Sequence, residues 1–125
     1  MIKFIHLGTG GTHTRQVNEE IKKINRIRPC RLSNTIATNG THIVVFSSNA
    51  SKVLTNDILE KILSESEVSF IVGDSNGIPE QVVNNADEVY ALTAIPTTHQ
   101  LQALILAEAL STSIIQSNYA KTTTI

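Results

Sequence analysis

The residues best placed to do chemistry lie in two segments, each between a strand pattern and a helix pattern. The first runs from Gly73 to Gly77 and follows the apolar run from Val68 to Val72. Glycine lets the backbone approach a ligand closely, and free amides at a helix start can receive an anionic or polar group. The second runs from Ala91 to Leu101, where apolar and hydroxyl residues alternate before an apolar helix. Such a segment can enclose an adenine ring with backbone groups and small side chains.

Other candidate sites are weaker. The turn from Gly8 to Thr12 is rich in glycine, but a dinucleotide fingerprint would need glycine where His13 stands, and no P-loop lysine follows. A simple turn is therefore favoured, with a nucleotide-binding module as the weaker alternative. His99 is more readily a helix-start residue that bonds locally or to a partner than a catalytic group. The four histidines lack partners at metal-ligand spacing, so we predict no metal site.

Strand and helix patterns alternate along the chain and must position these segments. Short apolar or β-branched runs predict strands over residues 2–7, 31–37, 42–46, 68–72 and 89–92. Apolar spacings of three and four predict a helix over residues 14–27. A cap at Thr55 predicts a helix over 55–63, a cap at Thr97 or Thr98 predicts one over 97–117, and Pro79 suits the first turn of another. Asn39-Gly40 indicates a tight hairpin. The alternation predicts an α/β fold with a mainly parallel sheet, whose ligand lies at the loops after Phe46, Val72 and Leu92.

The composition favours one folded domain over residues 1–125. Hydrophobic residues make up 41% of the chain and charged residues 17%, with a net charge of -1, which argues against disorder. The near-neutral total argues against a nucleic-acid partner, but the charge is unevenly distributed. Residues 1–56 contain eight Lys and Arg and two acidic residues, whereas residues 57–125 contain two and nine. The first half is therefore predicted to carry a basic helix face.

Cysteine content and hydropathy predict where the protein resides and how it assembles. The single cysteine, Cys30, is typical of a reducing cytosol and is predicted to be a small buried hydrophobe. No apolar run reaches the roughly 20 residues that a membrane helix needs, so we expect a cytoplasmic protein without membrane contact. The last helix is apolar nearly all round, which favours a partner subunit over a central helix covered by its own chain.

Three segments taken together resemble the RlmH family of SPOUT-class methyltransferases. They are Gly73 to Gly77, Ala91 to Ile95, and His99 to Leu101 with the apolar helix that follows. The match covers residues 43–121 in order, whereas residues 1–28 agree only in outline. Members of this family are large-subunit ribosomal RNA pseudouridine N3-methyltransferases, so the resemblance implies an RNA methyltransferase.

The resemblance also implies a C-terminal trefoil knot, a homodimer through the last helix, and S-adenosylmethionine held by three loops. The implied cofactor-binding residues are Phe46, Gly73, Asp74, Gly77, Thr93, Ala94, Ile95, Pro96, Thr97 and Thr98. The implied catalytic residues near the target base are Tyr119 and Lys121. Phosphates of ribosomal RNA or the ribosome would be held by Arg15, Lys22, Lys23 and Arg26, with Arg28 and Arg31 after them. Because in-line placement of donor and acceptor supplies most of the rate of methyl transfer, no metal is needed.

Four features depart from the family pattern. Asp74 replaces the second glycine of the turn, Thr98 replaces the proline before the histidine, and Ala120 replaces the histidine of the tail. The stretch between Cys30 and His42 is too short for the second crossover helix of typical members. The alternative to an active enzyme is therefore a SPOUT dimer that binds RNA or the ribosome without methylating it.

Overall fold

The computed structural model describes residues 1–8, 13–74, 76–95 and 97–123, and these form an α/β fold. The strands are β1 (Ile2–His6), β2 (Cys30–Ser33), β3 (His42–Phe46), β4 (Val68–Val72) and β5 (Glu88–Tyr90). The helices are α1 (Thr14–Asn25), α2 (Asn56–Leu63), α3 (Glu80–Asn84) and α4 (His99–Thr123). The predicted alternation of strands and helices is confirmed.

All five strands lie in one parallel sheet, in the order β2-β1-β4-β3-β5. Ile71 of β4 lies opposite Ile5 of β1 on one side and Val45 of β3 on the other. Because the strands share one direction, their carboxyl ends lie along one edge of the sheet, called the carboxyl edge here, and their amino ends along the opposite, amino edge. The predicted parallel sheet is confirmed.

Two of the helices begin at threonines that cap them. Thr55 Oγ1 accepts a hydrogen bond from the backbone N of Ile58 (3.2 Å), and Thr98 Oγ1 accepts one from the backbone N of Leu101 (3.2 Å). A capping hydroxyl satisfies an amide that has no partner within the helix and stabilises it by about 1 kcal/mol. Both caps lie at positions that the sequence predicts.

The larger core lies on the face of the sheet covered by α1, α2 and α4. Phe4, Val44 and Phe70 point to this face and are fully buried. Burying a side chain of this kind stabilises the fold by about 1.5–3 kcal/mol. The same gain applies to the apolar residues that α1 and α4 bury, and it holds both helices against the sheet. Their buried residues are Val17, Ile21, Ile24, Ala103, Leu106, Ala107 and Leu110.

Cys30, at the start of β2, belongs to this core. It is 7% exposed, and burial raises the pKa of its thiol to about 11, although the nearby Arg28 acts in the opposite direction. The thiol is therefore protonated at neutral pH, whereas nucleophilic attack would need the thiolate. The prediction that Cys30 is a buried hydrophobe is confirmed.

The opposite face of the sheet is covered by α3 and by residues 34–41. Lys3 Nζ donates to the backbone O of Ala37 (2.8 Å), and the hydroxyls of Thr41 and the fully buried Ser69 are 2.8 Å apart. Residues 34–41 therefore cross the sheet from β2 to β3 without a helix. The predicted hairpin is wrong because β2 and β3 are parallel and are separated by β1 and β4; Gly40, at φ +75°, only turns the crossing segment.

α4 is longer than predicted and is covered on one side by its own chain. It packs against α1, α2 and β4, which accounts for much of its apolar character. Leu101 and Ile105 are half-buried and Ile115 is 41% exposed. By helical spacing these three residues share the side of α4 that faces away from the core. Across the described ranges, no helix combines the length and hydropathy needed to cross a membrane.

Candidate functional site

The loops that follow β3, β4 and β5 start side by side at the carboxyl edge. Phe46, the last residue of β3, lies opposite Val72 of β4 and Tyr90 of β5. The backbone N of Ser47 donates to the carbonyl O of Tyr90 (2.9 Å), which ties the β3 loop to the β5 loop. The structure thus brings together the three segments in which the sequence places the cofactor-binding residues.

In the loop after β4, glycine is required at two positions for different reasons. A Cβ on Gly73 would lie 2.9 Å from the carbonyl carbon of Gly77 and 2.9 Å from Cγ1 of Ile78, well inside contact distance. Gly77 itself has φ +81°, a conformation that favours glycine, and a Cβ there would meet nothing within 4 Å. Gly73 therefore closes the turn tightly, while the backbone of Gly77 faces open space.

Asp74, which stands where the family has glycine, stabilises its own turn. Its Oδ1 accepts a hydrogen bond from the backbone N of Asn76 (2.8 Å), and its carbonyl O accepts one from Gly77 N (2.9 Å). A side chain that bonds the backbone two residues ahead fixes a turn in this way. A Cβ on Gly8 would lie 3.3 Å from Asp74 Cβ, so the β1 loop packs closely here. The rest of the predicted Gly8 to Thr12 turn lies outside the described residues.

Residues 91–95 line a cavity of about 80 Å³ beside the β3 loop. Ser48 of that loop and Gln102 of α4 complete the lining. The hydroxyl of Thr93 donates to the carbonyl O of Ile95 and folds the segment back on itself, while the Ile95 side chain is 71% exposed. Thr93, Ala94 and Ile95 therefore border one cavity, as their predicted shared role requires. Pro96 lies outside the described residues.

Gln102 is a buried polar residue of this cavity that the sequence analysis missed. It is 7% exposed, and its Nε2 donates to the backbone O of Thr97 (3.3 Å). The Oγ1 of Thr97 is also buried and has no hydrogen-bond partner among the described residues. Leaving a buried polar group unpaired costs about 1–3 kcal/mol, although Thr97 itself is not among the residues that line the cavity. The available signal was a polar residue between Leu101 and Ala103 of an apolar helix.

Phe46 and Thr98, both predicted cofactor contacts, use their side chains for the fold. Phe46 is 2% exposed, and its ring stacks on that of Phe70 with the centroids 6.1 Å apart. The hydroxyl of Thr98 caps α4. Phe46 can therefore contact a ligand at the carboxyl edge only through its backbone.

The predicted catalytic residues lie near the end of α4, far from the three loops. An α-helix rises 1.5 Å per residue, so the distance along α4 from His99 to Tyr119 is about 30 Å. Gln102 borders the cavity at the carboxyl edge, whereas Ser113, Ile114 and residues 116–118 line a groove of about 800 Å³ with the end of α2 and the residues that follow α1. Tyr119 is 70% exposed, and the side chains of Ala120 and Lys121 lie outside the described part of the chain. One chain therefore does not bring Tyr119 to its own loops.

The basic side of α1 is exposed, and two of its lysines are paired within the helix. Lys22 Nζ lies 3.5 Å from Glu19 Oε1, and Lys23 Nζ lies 3.0 Å from Glu20 Oε1. Exposed pairs of this kind contribute only about 0.3–0.5 kcal/mol, so these lysines can exchange a carboxylate for a phosphate. The exposed basic residues of α1 and its C-terminal cap are Arg15, Lys22, Lys23 and Arg26.

Arg28, predicted to follow this basic surface toward RNA, also serves the fold. Its Nη1 donates to the carbonyl O of Leu63 (2.7 Å), and its Nη2 donates to the carbonyl oxygens of Glu65 and Ser66. These carbonyls lie at and just beyond the C-terminus of α2, where the helix dipole favours a cation. These three hydrogen bonds give Arg28 a structural role, and its contact with phosphate stays a prediction.

A separate polar cluster joins β3 and β5 near the amino edge. His42 Nε2 and Glu88 Oε2 are 2.5 Å apart, Tyr90 Oη donates to Glu88 Oε1 (2.5 Å), and His42 Nδ1 lies 3.7 Å from Asp87 Oδ2. The hydrogen bond to Glu88 raises the pKa of His42 above its ordinary value of 6.5, although burial opposes it. Burial raises the pKa of Glu88, but hydrogen bonds from His42 and Tyr90 outweigh it and lower that pKa overall. The hydrogen bond to Glu88 and burial raise the pKa of Tyr90 to about 12.

Replacing Glu88 with glutamine is expected to lower the pKa of His42 towards 6.5, measured by NMR titration of its ring protons. The raised pKa of His42 stabilises the fold below 6.5, and this contribution is lost as pH rises through the raised value. The lowered pKa of Glu88 stabilises the fold above 4.5, and this contribution is lost as pH falls through the lowered value. The stability lost in Glu88→Gln is therefore expected to be largest between pH 4.5 and pH 6.5, where both contributions are present.

Glu80→Gln, at the start of α3, is the matched control, because Glu80 is exposed and no part of this cluster. The Glu80→Gln variant is expected to leave the pKa of His42 unchanged. An unchanged His42 pKa in Glu88→Gln would contradict the assigned cause of the shift.

The parallel sheet, the glycine turn after β4 and the capped apolar helix define the class of protein. A family model described as "Predicted SPOUT methyltransferase" matches residues 2–118, which is nearly the whole chain. The chain therefore belongs to the SPOUT methyltransferase family.

Within that family, the chain is similar to proteins named "Ribosomal RNA large subunit methyltransferase H". The protein from Prochlorococcus marinus (strain MIT 9215) is 26% identical over 98 residues, which cover 76% of this chain and 70% of the relative. The protein from Acetivibrio thermocellus is 36% identical over 76 residues, which cover 57% of this chain and 48% of the relative. The resemblance to the RlmH family is thus confirmed.

SPOUT methyltransferases generally use S-adenosylmethionine. The side chains that line the carboxyl-edge cavity are of the chemical types that such a donor requires. Small apolar side chains and hydroxyls surround a buried amide, as an adenine ring with polar edges requires. Whole ligand sites enclose about 300–1,000 Å³, so the cavity of about 80 Å³ suits only part of the donor. Within the described ranges, no three His, Cys, Asp or Glu side chains are grouped to hold a metal ion.

Proposed function

We propose that this protein is an S-adenosylmethionine-dependent RNA methyltransferase that modifies large-subunit ribosomal RNA, at N3 of a pseudouridine. Family membership and the names of its relatives support the proposal. The observation that carries it is the cavity between the β3 and β5 loops, whose lining includes the buried amide of Gln102. A single SPOUT domain over residues 1–125 and a cytoplasmic location are parts of the same proposal.

Methyl transfer depends mainly on how the protein places the methyl donor and the acceptor. When bound, S-adenosylmethionine supplies an electrophilic methyl group on a sulfonium sulfur. The loops after β3 and β5 would enclose the adenine ring, and the backbone of Gly77 would approach the rest of the ligand. The acceptor nitrogen loses a proton as its bond to the methyl carbon forms, so a polar or basic group must stand beside it. Tyr119 and Lys121 are proposed for that place.

Tyr119 can take this role only in the site of a second copy of the chain. It lies about 30 Å along α4 from the loops of its own protomer. In a two-fold dimer with antiparallel α4 helices, each tail would approach the loops of its partner. Leu101, Ile105 and Ile115, on the side of α4 away from its core, would supply the apolar contact. The C-terminal trefoil knot of SPOUT proteins is proposed for the segment that joins β5 to α4.

RNA is proposed to dock on the exposed basic side of α1. A protein of net charge -1 with few free cations would bind free RNA weakly, since affinity grows with the number of phosphates contacted. Two such helices in a dimer, or a shaped ribosomal surface, would strengthen the grip. The residues that would contact phosphates are Arg15, Lys22, Lys23 and Arg26.

Two measurements test the proposed function. Calorimetry is expected to show S-adenosylmethionine binding to the purified protein, and radiolabelled methyl transfer is expected to one nucleotide of large-subunit RNA, presented free, as subunits and as ribosomes. Absence of binding at millimolar donor would remove the enzyme proposal. Donor or RNA binding without transfer to any of the three substrates would instead favour a SPOUT dimer that binds RNA, the alternative that Asp74 and Ala120 motivate.

A further inference from the structure

We propose that Gln102 selects the adenine base of the methyl donor, by accepting a hydrogen bond from its 6-amino group through Oε1. The inference rests on the proposed function, because it takes the donor to carry adenine. It assigns base specificity to a side chain on the first turn of α4, outside the two loops that would enclose the ring.

The hydrogen bond to Thr97 fixes which way the Gln102 amide points. Gln102 Nε2 donates to the backbone O of Thr97 (3.3 Å), and a carbonyl oxygen can only accept. Turning the amide over would place two acceptors against each other. The side chain is also 7% exposed, so its conformation is held by packing. The amide therefore keeps its NH₂ end on Thr97 and leaves Oε1 as an acceptor with a fixed direction.

The surroundings of Gln102 suit a flat heteroaromatic ring. Ala91, Leu92 and Ala94 give the cavity small apolar walls. The hydroxyl of Thr93 already donates to a backbone carbonyl, so it cannot also donate to a ligand. The amide of Gln102 is a larger polar group of the cavity lining that can bond one.

A fixed acceptor discriminates between bases that differ at the 6-position. Adenine presents an amino donor there, and a glutamine amide can pair with the adenine edge. A 6-oxo base presents an acceptor in the same place, so Oε1 would face another oxygen and remain unpaired. A site built to hydrogen-bond one group rejects an analogue that lacks it.

The wild-type protein tests this directly. S-adenosylhomocysteine and its deaminated counterpart, S-inosylhomocysteine, differ in the 6-substituent of the base and in the proton that the 6-oxo form carries on N1. Calorimetry is expected to give a Kd about tenfold or more lower for the adenine compound. Equal affinities would overturn the role of Gln102 and leave the proposed function standing. Failure of S-adenosylmethionine and both products to bind would refute the proposed function itself.

A variant assigns the discrimination to the residue. Gln102→Met keeps the length and burial of the side chain and is expected to weaken S-adenosylhomocysteine about tenfold and to abolish the preference over the inosine compound. In turnover, it should raise KM for the donor with little change in kcat. Gln16→Met, an exposed position on α1, is the control and should preserve both affinities. Undiminished preference in folded Gln102→Met would overturn the proposal; if that variant does not fold, the wild-type comparison decides.

Discussion

Replacing Gly73 with alanine is expected to weaken S-adenosylmethionine binding by about tenfold or more and to destabilise the fold by about 1–3 kcal/mol. The added Cβ would lie 2.9 Å from the carbonyl carbon of Gly77, 3.0 Å from its oxygen, and 2.9 Å from Cγ1 of Ile78. Backbone cannot rotate away as a flexible side chain can, so the turn itself must move. The residue displaced is Gly77, whose backbone faces the proposed ligand. Calorimetry and denaturant unfolding measure the two effects.

Gly40→Ala is the matched control for this substitution. Gly40 has φ +75°, so alanine there is strained and costs about 1–2 kcal/mol, but its Cβ would meet nothing within 4 Å. The control should lose stability and keep donor affinity, which separates a general loss of stability from damage to the site. Wild-type donor affinity in Gly73→Ala would contradict the assignment of the β4 loop to the donor.

Mixed dimers are expected to restore methylation that each parent variant has largely lost, when the donor is kept well below its Kd for Gly73→Ala. Gly73→Ala weakens donor binding to its own loop, and Tyr119→Ala removes the tail residue proposed to act on the partner's substrate. In a statistical mixture half of the dimers combine the two variants, and each of these holds one intact site. Activity is therefore expected to return to about a quarter of the wild-type value per chain. Methyl transfer by co-expressed, differently tagged chains measures this.

The double variant, Gly73→Ala with Tyr119→Ala on one chain, is the control for complementation. Combined with wild-type chains it leaves no complete site in the mixed dimer, because each site then lacks either the loop or the tail. Purified mixed dimers of the single variants that stay inactive would exclude a site shared between protomers. Full activity of Tyr119→Ala alone would remove Tyr119 from the proposed chemistry.

Local patterns were enough to predict most elements of the fold. The β-branched run from His42 to Phe46 and the apolar run from Val68 to Val72 match the bounds of β3 and β4, because buried parallel strands need such residues. The strand order could not be predicted in the same way, since it depends on pairing between distant residues. The hairpin predicted from Asn39-Gly40 was wrong for this reason. A turn signal is local and does not show which strands pair on either side of it.

The candidate site was predictable where it depends on strand ends, and not where it depends on packing. The three loops follow from the ends of β3, β4 and β5. Arg28 was grouped with the basic surface by charge alone, and its carbonyl partners beyond α2 are distant in sequence. Gln102 reads as an ordinary helix position until the cavity beside it is known. The distance from Tyr119 to the loops emerges only once the length and direction of α4 are fixed.

The central position of β4 in the sheet has a consequence for the order of events during synthesis. Among the five described strands, β1 is made before β4, yet it lies between β2 and β4, and β3 lies between β4 and β5. Until residues 68–72 leave the ribosome, β3 has no partner and the nascent chain holds exposed apolar strands. Pairing of distant segments is slow, and such intermediates are prone to aggregate. Co-translational folding must therefore wait for β4, so the yield of folded protein should be more sensitive to substitutions in β4 than in the edge strand β2.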